Sequence, residues 1–260
     1  MEKKISGWGN NIFAYSKVYF PKNIAEIKDL IKGKTIARGL SRSYGDSSIQ
    51  PQSTIITSKL NKIISFDAKK GFIEAEAGIS IEDILKVTLK KGWFLRVTPG
   101  SKRITLGGMI AANVHGKNHH KVGNFKNHII NLKMINETKK LITCSKNKNK
   151  KLFNYTVGGM GLTGIIYSCK FRLKKISSDT IIQEKIKNKN LRETINSIIM
   201  SNNWEYNVAW IDTSANKEQL GRSILTRGKF INKKINKKKI SLGNNIKFYI
   251  PKIFPNWFMN

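Results

Sequence analysis

Acidic residues are scarce in this chain: 16 Asp and Glu stand against 48 Lys and Arg, giving a formal charge of +32 over 260 residues. Cysteine is scarcer still. The two that exist, Cys144 and Cys169, lack CxxC spacing, which excludes a disulfide framework and a cysteine-built metal site. No stretch approaches the roughly 20 apolar residues that a membrane-spanning helix needs. The opening MEKKISGWGNNIFAYSK has no apolar core of a secretion signal, so the expected location is cytoplasmic. Arginine is sparse beside lysine, and it is arginine that suits bidentate contacts to bases and phosphates. The aromatics also do not interleave with the basic runs as base-stacking platforms would. No nucleic-acid partner is therefore expected. Much of the charge reads as compositional drift in a chain rich in Lys, Asn and Ile. A charge of this size still favours peripheral contact with anionic lipid, here the inner membrane.

What is present suits a packed α+β chain. Hydrophobic residues make up 40%, with 12 Phe, 7 Tyr and 5 Trp. Val18–Pro21 reads as a strand, followed by an amphipathic helix with Ile24, Ile27, Leu30 and Ile31 on one face. Residues 34–37, 54–57, 63–67 and 71–77 read as strands, with DAKKG as a hairpin turn. Ser80 caps a helix that carries Glu82 and Asp83 in its first turn and ends at Gly92. Residues 129–135 and 139–144 form a further hairpin, residues 145–151 a Lys/Asn turn, and residues 164–174 a strand. Beyond about Lys175 the pattern continues with strands at 180–187, 206–212 and 222–227 and a helix at 191–202. Residues 229–239 are basic and turn-like. The apolar ending, with Trp257 and Phe258, suggests a second domain that is cut short.

Two glycine-punctuated loops carry the chemistry: IARGLSRSYGD at 36–46 and TLGGMIAANVHGKNHH at 105–120. Glycine lets the backbone adopt φ > 0 and leaves no side chain between its amides and a ligand. Such turns form concave sites for phosphate. With a third Gly-rich stretch at 156–164, they suggest a dinucleotide lying across one domain. Within the first loop Arg42, Ser43 and Asp46 supply cation, hydroxyl and carboxylate, or else Asp46 simply holds its own turn. Gly159, Gly161 and Gly164 form a literal GxGxxG. A Rossmann site needs a helix after it, and the β-branched, alternating segment that follows predicts a strand, so that reading is rejected. His115, His119 and His120 have neither the acid nor the neighbouring ligands that zinc requires, and no metal is expected. His115 and Lys117, beside a backbone opened by Gly116, are better suited to polar contact with a ligand.

Taken together and in order, IARGLSRSYGD, TPGSKRITLGGMIAANVHGKNHHKVGNFKNHI and FNYTVGGMGLTGII closely resemble the decaprenylphosphoryl-ribose 2-oxidase family. That family belongs to the vanillyl-alcohol-oxidase (PCMH) type of FAD proteins. GWGN, NVAWIDT, LGRSILTRGKF and IFPN also fit it. The resemblance implies an α+β, PCMH-type FAD-binding domain of two subdomains over residues 1–175. The start of an α+β substrate domain would follow over 176–260, incomplete because the family continues beyond IFPN. It implies FAD contacts from Ala37, Arg38, Gly39, Leu40, Ser41, Arg42, Ser43, Tyr44, Gly45, Asp46 and Ser47. Further contacts would come from Gly100, from Thr105, Leu106, Gly107 and Gly108, from His115, Gly116, Lys117 and Asn118, and from Ile165. Relatives with covalent flavin carry His near the place of Arg42, so FAD bound non-covalently is expected.

The implied reaction is oxidation of the 2-hydroxyl of a polyprenyl-phosphoryl pentose, with hydride passing to the flavin. An NAD(P)H-dependent short-chain reductase partner would then complete a 2-epimerisation that serves cell-wall arabinose donors. His115 and Lys117 would be the catalytic pair. Lys117 would meet the lipid phosphate, and Trp210 would form a wall of the pocket. Val208 stands where relatives carry a polar residue. Two other readings are a sugar, alditol or aldonolactone oxidase of the same fold, and a basic protein that binds nucleic acid or an anionic surface.

Overall fold

The structure, a computed structural model, describes residues 2–232. They form three sheets with short helices, an α+β fold. The first sheet holds β1 (Glu2–Ser6), β2 (Phe13–Tyr19), β3 (Thr35–Arg38) and β4 (Ser53–Ile56) in the order β1-β2-β4-β3. β1 and β2 pair antiparallel, and the remaining pairings are parallel. Parallel strands need a crossover, and α1 (Ile24–Leu30) supplies it. Asn23 caps this helix by accepting the Glu26 N–H at 2.9 Å. Ile27 is buried in a small core with Ile55, Leu60, Ile135 and Ile165.

The second sheet contains β5 (Ile63–Asp67), β6 (Phe72–Glu76), β7 (Trp93–Leu95), β8 (Ile129–Ile135), β9 (Leu141–Cys144) and β10 (Ile165–Lys175). β10 runs through its middle and pairs antiparallel with β6, β7 and β8. In the β5–β6 turn the Asp67 carboxylate accepts the N–H groups of Lys69 and Lys70, both at 2.9 Å. Gly71 closes that turn at φ +71°, where a Cβ would run into the Trp93 ring. The main core lies between this sheet and α2 (Ile81–Thr88), α3 (Leu106–Ala111) and α5 (Lys150–Thr156). Ile84, Leu106, Met109, Phe125, Phe153 and Phe171 are fully enclosed there. A single turn, α4 (His119–Val122), and a 3-10 turn over Phe125–His128 lie between α3 and β8. Ser80 caps α2 as expected, and Gly92 ends the following turn in the left-handed region.

The third sheet has the order β11-β13-β12, all antiparallel, from β11 (Ile181–Asn188), β12 (Tyr206–Ile211) and β13 (Ser223–Phe230). α6 (Leu191–Met200) covers one face. There Thr194 Oγ1 meets Ser223 Oγ at 2.7 Å and Ser197 donates to Asn188 Oδ1 at 2.6 Å.

Three elements depart from the sequence expectation. β1 forms from EKKIS, whose charges stand on an edge strand open to solvent. α5 begins inside the Lys/Asn run that reads as a turn, drawn into helix by burial of Phe153. The second glycine loop, read as a loop, is helical over Leu106–Ala111. The strand after GGMGLTG is β10, as the rejection of a Rossmann site requires. Of the basic run at 229–239, Lys229 and Phe230 belong to β13. Residues 233–239 of that run, and the apolar ending with Trp257 and Phe258, lie outside the described residues. No helix among the described residues is long and apolar enough to cross a membrane.

Both cysteines are fully buried, Cys144 in β9 and Cys169 in β10, and burial raises both thiol pKa values. Neither thiol is expected to react with Ellman's reagent in the folded protein, and both should react once denaturant is added. Rapid labelling of either in native buffer would contradict this core.

Candidate functional site

The first glycine loop is built around a buried cation. β3 ends at Arg38, which is 4% exposed. Its Nε donates to Ser41 Oγ at 3.2 Å and one terminal nitrogen to Ser48 Oγ at 3.0 Å, while the other reaches the Ser6 carbonyl. No Asp or Glu forms an ion pair with it among the described residues. Burial alone pulls the guanidinium below its ordinary pKa. A buried charge without a partner of opposite sign is costly, so an anion beside it would be stabilising. Ser43 and Ser48 join their hydroxyls at 2.6 Å, and the Trp8 N–H donates to the Ser43 carbonyl at 2.9 Å. A Cβ on Gly7 would lie 2.2 Å from the Gly45 carbonyl oxygen, so the GWGN turn presses directly on the loop.

The second loop meets the first through a missing side chain. Thr105 caps α3 by accepting the Gly108 N–H at 3.1 Å. A Cβ on Gly39 would stand 2.3 Å from that same Thr105 Oγ1, so only glycine allows the two loops to touch. Gly107 donates to the Ala77 carbonyl at 2.7 Å, which ties α3 to the end of β6. The third Gly-rich stretch closes the far side. Gly158 and Met160 donate to the carbonyls of Ile110 and Ala111 at 3.0 and 2.9 Å. One cleft results, with hydroxyls and Arg38 on one wall and a floor that includes Ala77, Ile104 and Ile166.

The expected cofactor residues divide. Ala37–Ser43, Ser47, Thr105, Gly107 and Gly108 line this cleft. Tyr44, Gly45 and Asp46 form the outer limb of the loop and do not. Arg42 folds back onto the carbonyls of Leu40 and Ser41, leaving Arg38 as the buried cation. Asp46 makes no side-chain hydrogen bond among the described residues, so it does not hold its own turn. Leu106 points into the main core, because it begins the apolar face of α3. Gly100 lies in a loop away from the cleft. Ile165 packs into the smaller core; successive strand residues face opposite ways, and Ile166 is the one at the cleft.

His115–Asn118 lie elsewhere in the structure. The cleft is lined one turn earlier, by Ala111, Ala112 and Val114, while His115, Gly116 and Lys117 border a separate opening with His119 and His120. Sequence reading passed over the small residues before His115, and also Ser48, Thr57, Met160, Gly161 and Gly164, which line the cleft. The small-residue run AAN and the Gly-rich stretch at 156–164 were the available signals.

Ile198 and Ile199 of α6 and Asn207 of β12 complete the second opening. The Asn207 N–H donates to the Lys117 carbonyl at 2.8 Å, which docks the third sheet on the HGKNHH turn. Asn118 is fully buried and donates to the Arg96 carbonyl at 2.8 Å, while its Oδ1 has no partner among the described residues. The His115 and His119 rings meet edge-on at 5.3 Å. The Lys117 ammonium has no carboxylate partner among the described residues. Trp210 does not line this opening: it is 66% exposed on the face of the third sheet away from α6, a face it shares with Val208. Among the described residues no group of three His, Cys, Asp or Glu is placed to hold a metal.

These features agree with known proteins. The FAD binding domain family matches residues 16–145, half of the chain, and the chain belongs to that family, with FAD as its cofactor. It is similar to decaprenylphosphoryl-β-D-ribose oxidase of Mycolicibacterium smegmatis, 30% identical over 99% of this chain and 60% of that protein. It is also similar to D-arabinono-1,4-lactone oxidase of Yarrowia lipolytica, at 26% over 64% of this chain and 33% of that enzyme. L-gulonolactone oxidase of Bos taurus is 22% identical over 71% and 45%. The chain thus spans 60% or less of the length of these relatives.

Gly108 tests the cleft without disturbing the core. A Cβ there meets only Thr105 Oγ1, at 3.2 Å, and otherwise finds open space. Gly108→Val should leave the melting temperature of the FAD-free protein nearly unchanged. It should lower FAD affinity by about tenfold or more, roughly 1.4 kcal/mol. Unchanged affinity, measured by flavin fluorescence titration, would contradict this placement.

Proposed function

We propose that this chain is the FAD-binding part of an oxidoreductase that oxidises the 2-hydroxyl of a polyprenyl-phosphoryl pentose. The observation that carries the cofactor assignment is Arg38, a buried cation without a carboxylate in the wall of a cleft formed by three glycine-rich stretches. The residues present fit a dinucleotide. Backbone amides freed by Gly39, Gly107 and Gly108, with the Ser41 and Ser43 hydroxyls, would hold the diphosphate. The floor of Ala77, Ile104 and Ile166 would take the apolar part of the cofactor. Among the described residues no His or Cys lines the cleft, which supports FAD held without a covalent bond. In this reading residues 1–175 are the FAD-binding unit and residues 176–260 belong to the substrate side.

The second opening supports the substrate. Lys117, without a carboxylate partner among the described residues, offers its ammonium to a phosphate, and Ile198 and Ile199 offer an apolar wall beside it. That pairing of charge and apolar surface suits a phosphate carrying a prenyl chain. It matches the compound named for the Mycolicibacterium relative better than it matches an uncharged lactone. His115, which lines the same opening, would accept the hydroxyl proton. Bound FAD supplies two-electron acceptance, which no amino-acid side chain provides. Asn118, beneath the turn, holds its backbone in place through the Arg96 carbonyl. A short-chain reductase returning a hydride to the keto product would complete an epimerisation, with both proteins on the cytoplasmic side.

The test is anaerobic addition of polyprenyl-phosphoryl ribose to the FAD-loaded chain. Loss of the oxidised-flavin absorbance band is expected. Lys117→Ala should retain FAD yet raise the substrate concentration needed for half-maximal bleaching by about tenfold, the scale of one lost charge-assisted contact. Bleaching by an aldonolactone and not by the lipid phosphate would contradict the substrate assignment, and an unchanged Lys117→Ala would remove the role of that lysine.

A further inference from the structure

The β1–β2 hairpin carries a surface that neither opening uses. Phe13 and Tyr15 lie two residues apart on β2 and so share one face of the first sheet. They are 53% and 60% exposed. Across the hairpin, Lys4 pairs with Tyr15 and Glu2 with Lys17. The Lys4 ammonium sits 3.9 Å from the centre of the Phe13 ring. In the hairpin turn Ile12 and Trp8 are also exposed, and Tyr44, 77% exposed, stacks edge-on against Trp8 at 5.9 Å. Further along the same face α1 provides cover, with Ile27 on Ile55, but it does not reach Phe13 or Tyr15. Exposed apolar side chains scattered singly need no explanation; a group like this one marks a contact surface.

We propose that this hairpin face docks on an anionic lipid membrane. Trp, Tyr and Phe beside Lys is the side-chain chemistry of a membrane interface, with rings at the headgroup level and ammonium groups toward lipid phosphates. Lys4 and Lys17 on the face, Lys3 beside it, and a net charge of +32 give the complementarity; Glu2 is the opposing charge on the strand. Nucleic acid fits less well, because Lys4 already occupies the ring face of Phe13 on which a base would stack. A second copy of the chain fits less well too. Pairing along β1 would bring Lys3 and Lys4 against identical charges, the arrangement by which edge strands avoid one another. The Trp8 N–H is bonded to the Ser43 carbonyl, so the docked face adjoins the first glycine loop and the cleft. The surface stands on its own residues; only its purpose, delivery of a prenyl-linked substrate, rests on the function proposed above.

The experiment is co-sedimentation of the FAD-loaded 260-residue chain with phosphatidylcholine vesicles prepared with and without phosphatidylglycerol. Binding is expected only with phosphatidylglycerol. Phe13→Ser with Tyr15→Ser should reduce it by about tenfold or more, since binding scales with the apolar area inserted. The flavin spectrum and melting temperature should remain those of the parent. Lys4→Glu with Lys17→Glu should reduce it likewise. Equal vesicle binding by the Phe13/Tyr15 double variant would overturn the proposal, because charge elsewhere would then suffice. So would a parent dimer, seen in sedimentation equilibrium, that the same variant dissolves without any lipid binding. Preferential capture of single-stranded RNA over phosphatidylglycerol vesicles would also overturn it. Failure of the substrate assay leaves the vesicle result standing, and the reverse also holds.

Discussion

The structure depends on a contact that exists because an atom is missing. Gly39 has no Cβ, and Thr105 Oγ1 occupies the place where one would stand. That closeness brings the end of β3 against the start of α3 and joins two sheets that share little else of the cleft. Arg38 then fixes the first loop from beneath, bridging Ser6, Ser41 and Ser48, while Thr105 fixes the second by capping α3. The cleft is therefore a consequence of how the sheets are joined. Its positive charge follows from the same geometry, since the cation that organises the loop has no carboxylate partner among the described residues.

In the proposed function the two openings divide the chemistry. One is walled by backbone, hydroxyls and small side chains, which suits a large cofactor held along its length. The other is walled by His115, Lys117 and the isoleucines of α6, which suits a substrate with a charged head and an apolar tail. The HGKNHH turn lies between them. Its backbone is held from below by Asn118 and from the third sheet by Asn207, so movement of the third sheet would be felt at Lys117.

Local signals carried much of the fold into the sequence. The Ser80 cap, the Asp67 turn, the Gly92 stop and the alternation of β10 each rest on a few neighbouring residues, and each is where the residue pattern predicts. β1 was not legible because EKKIS has almost no apolar face; its pairing with β2 decides it. α5 was hidden by its lysines until burial of Phe153 is considered. In the site, glycine spacing revealed both loops but not which side of each faces the cleft. Ile165 and Ile166 are indistinguishable in the sequence, and only the register of β10 separates them. The polar HGKN drew attention from the alanines before it, though small residues are what a cleft lined by backbone requires. Arg42 was the conspicuous cation of SRSYGD, yet its guanidinium folds onto its own loop, and burial belongs to Arg38.

The most direct test of the central claim is where the flavin goes. The purified chain is incubated with FAD, freed of excess cofactor and precipitated with acid, and the visible spectrum is recorded before precipitation and again on the supernatant. A flavin band that travels with the folded protein and is then released entirely to the supernatant is the predicted result. Flavin retained in the pellet, or a protein that is folded by circular dichroism yet binds no flavin, would contradict a non-covalent FAD site between the two glycine loops.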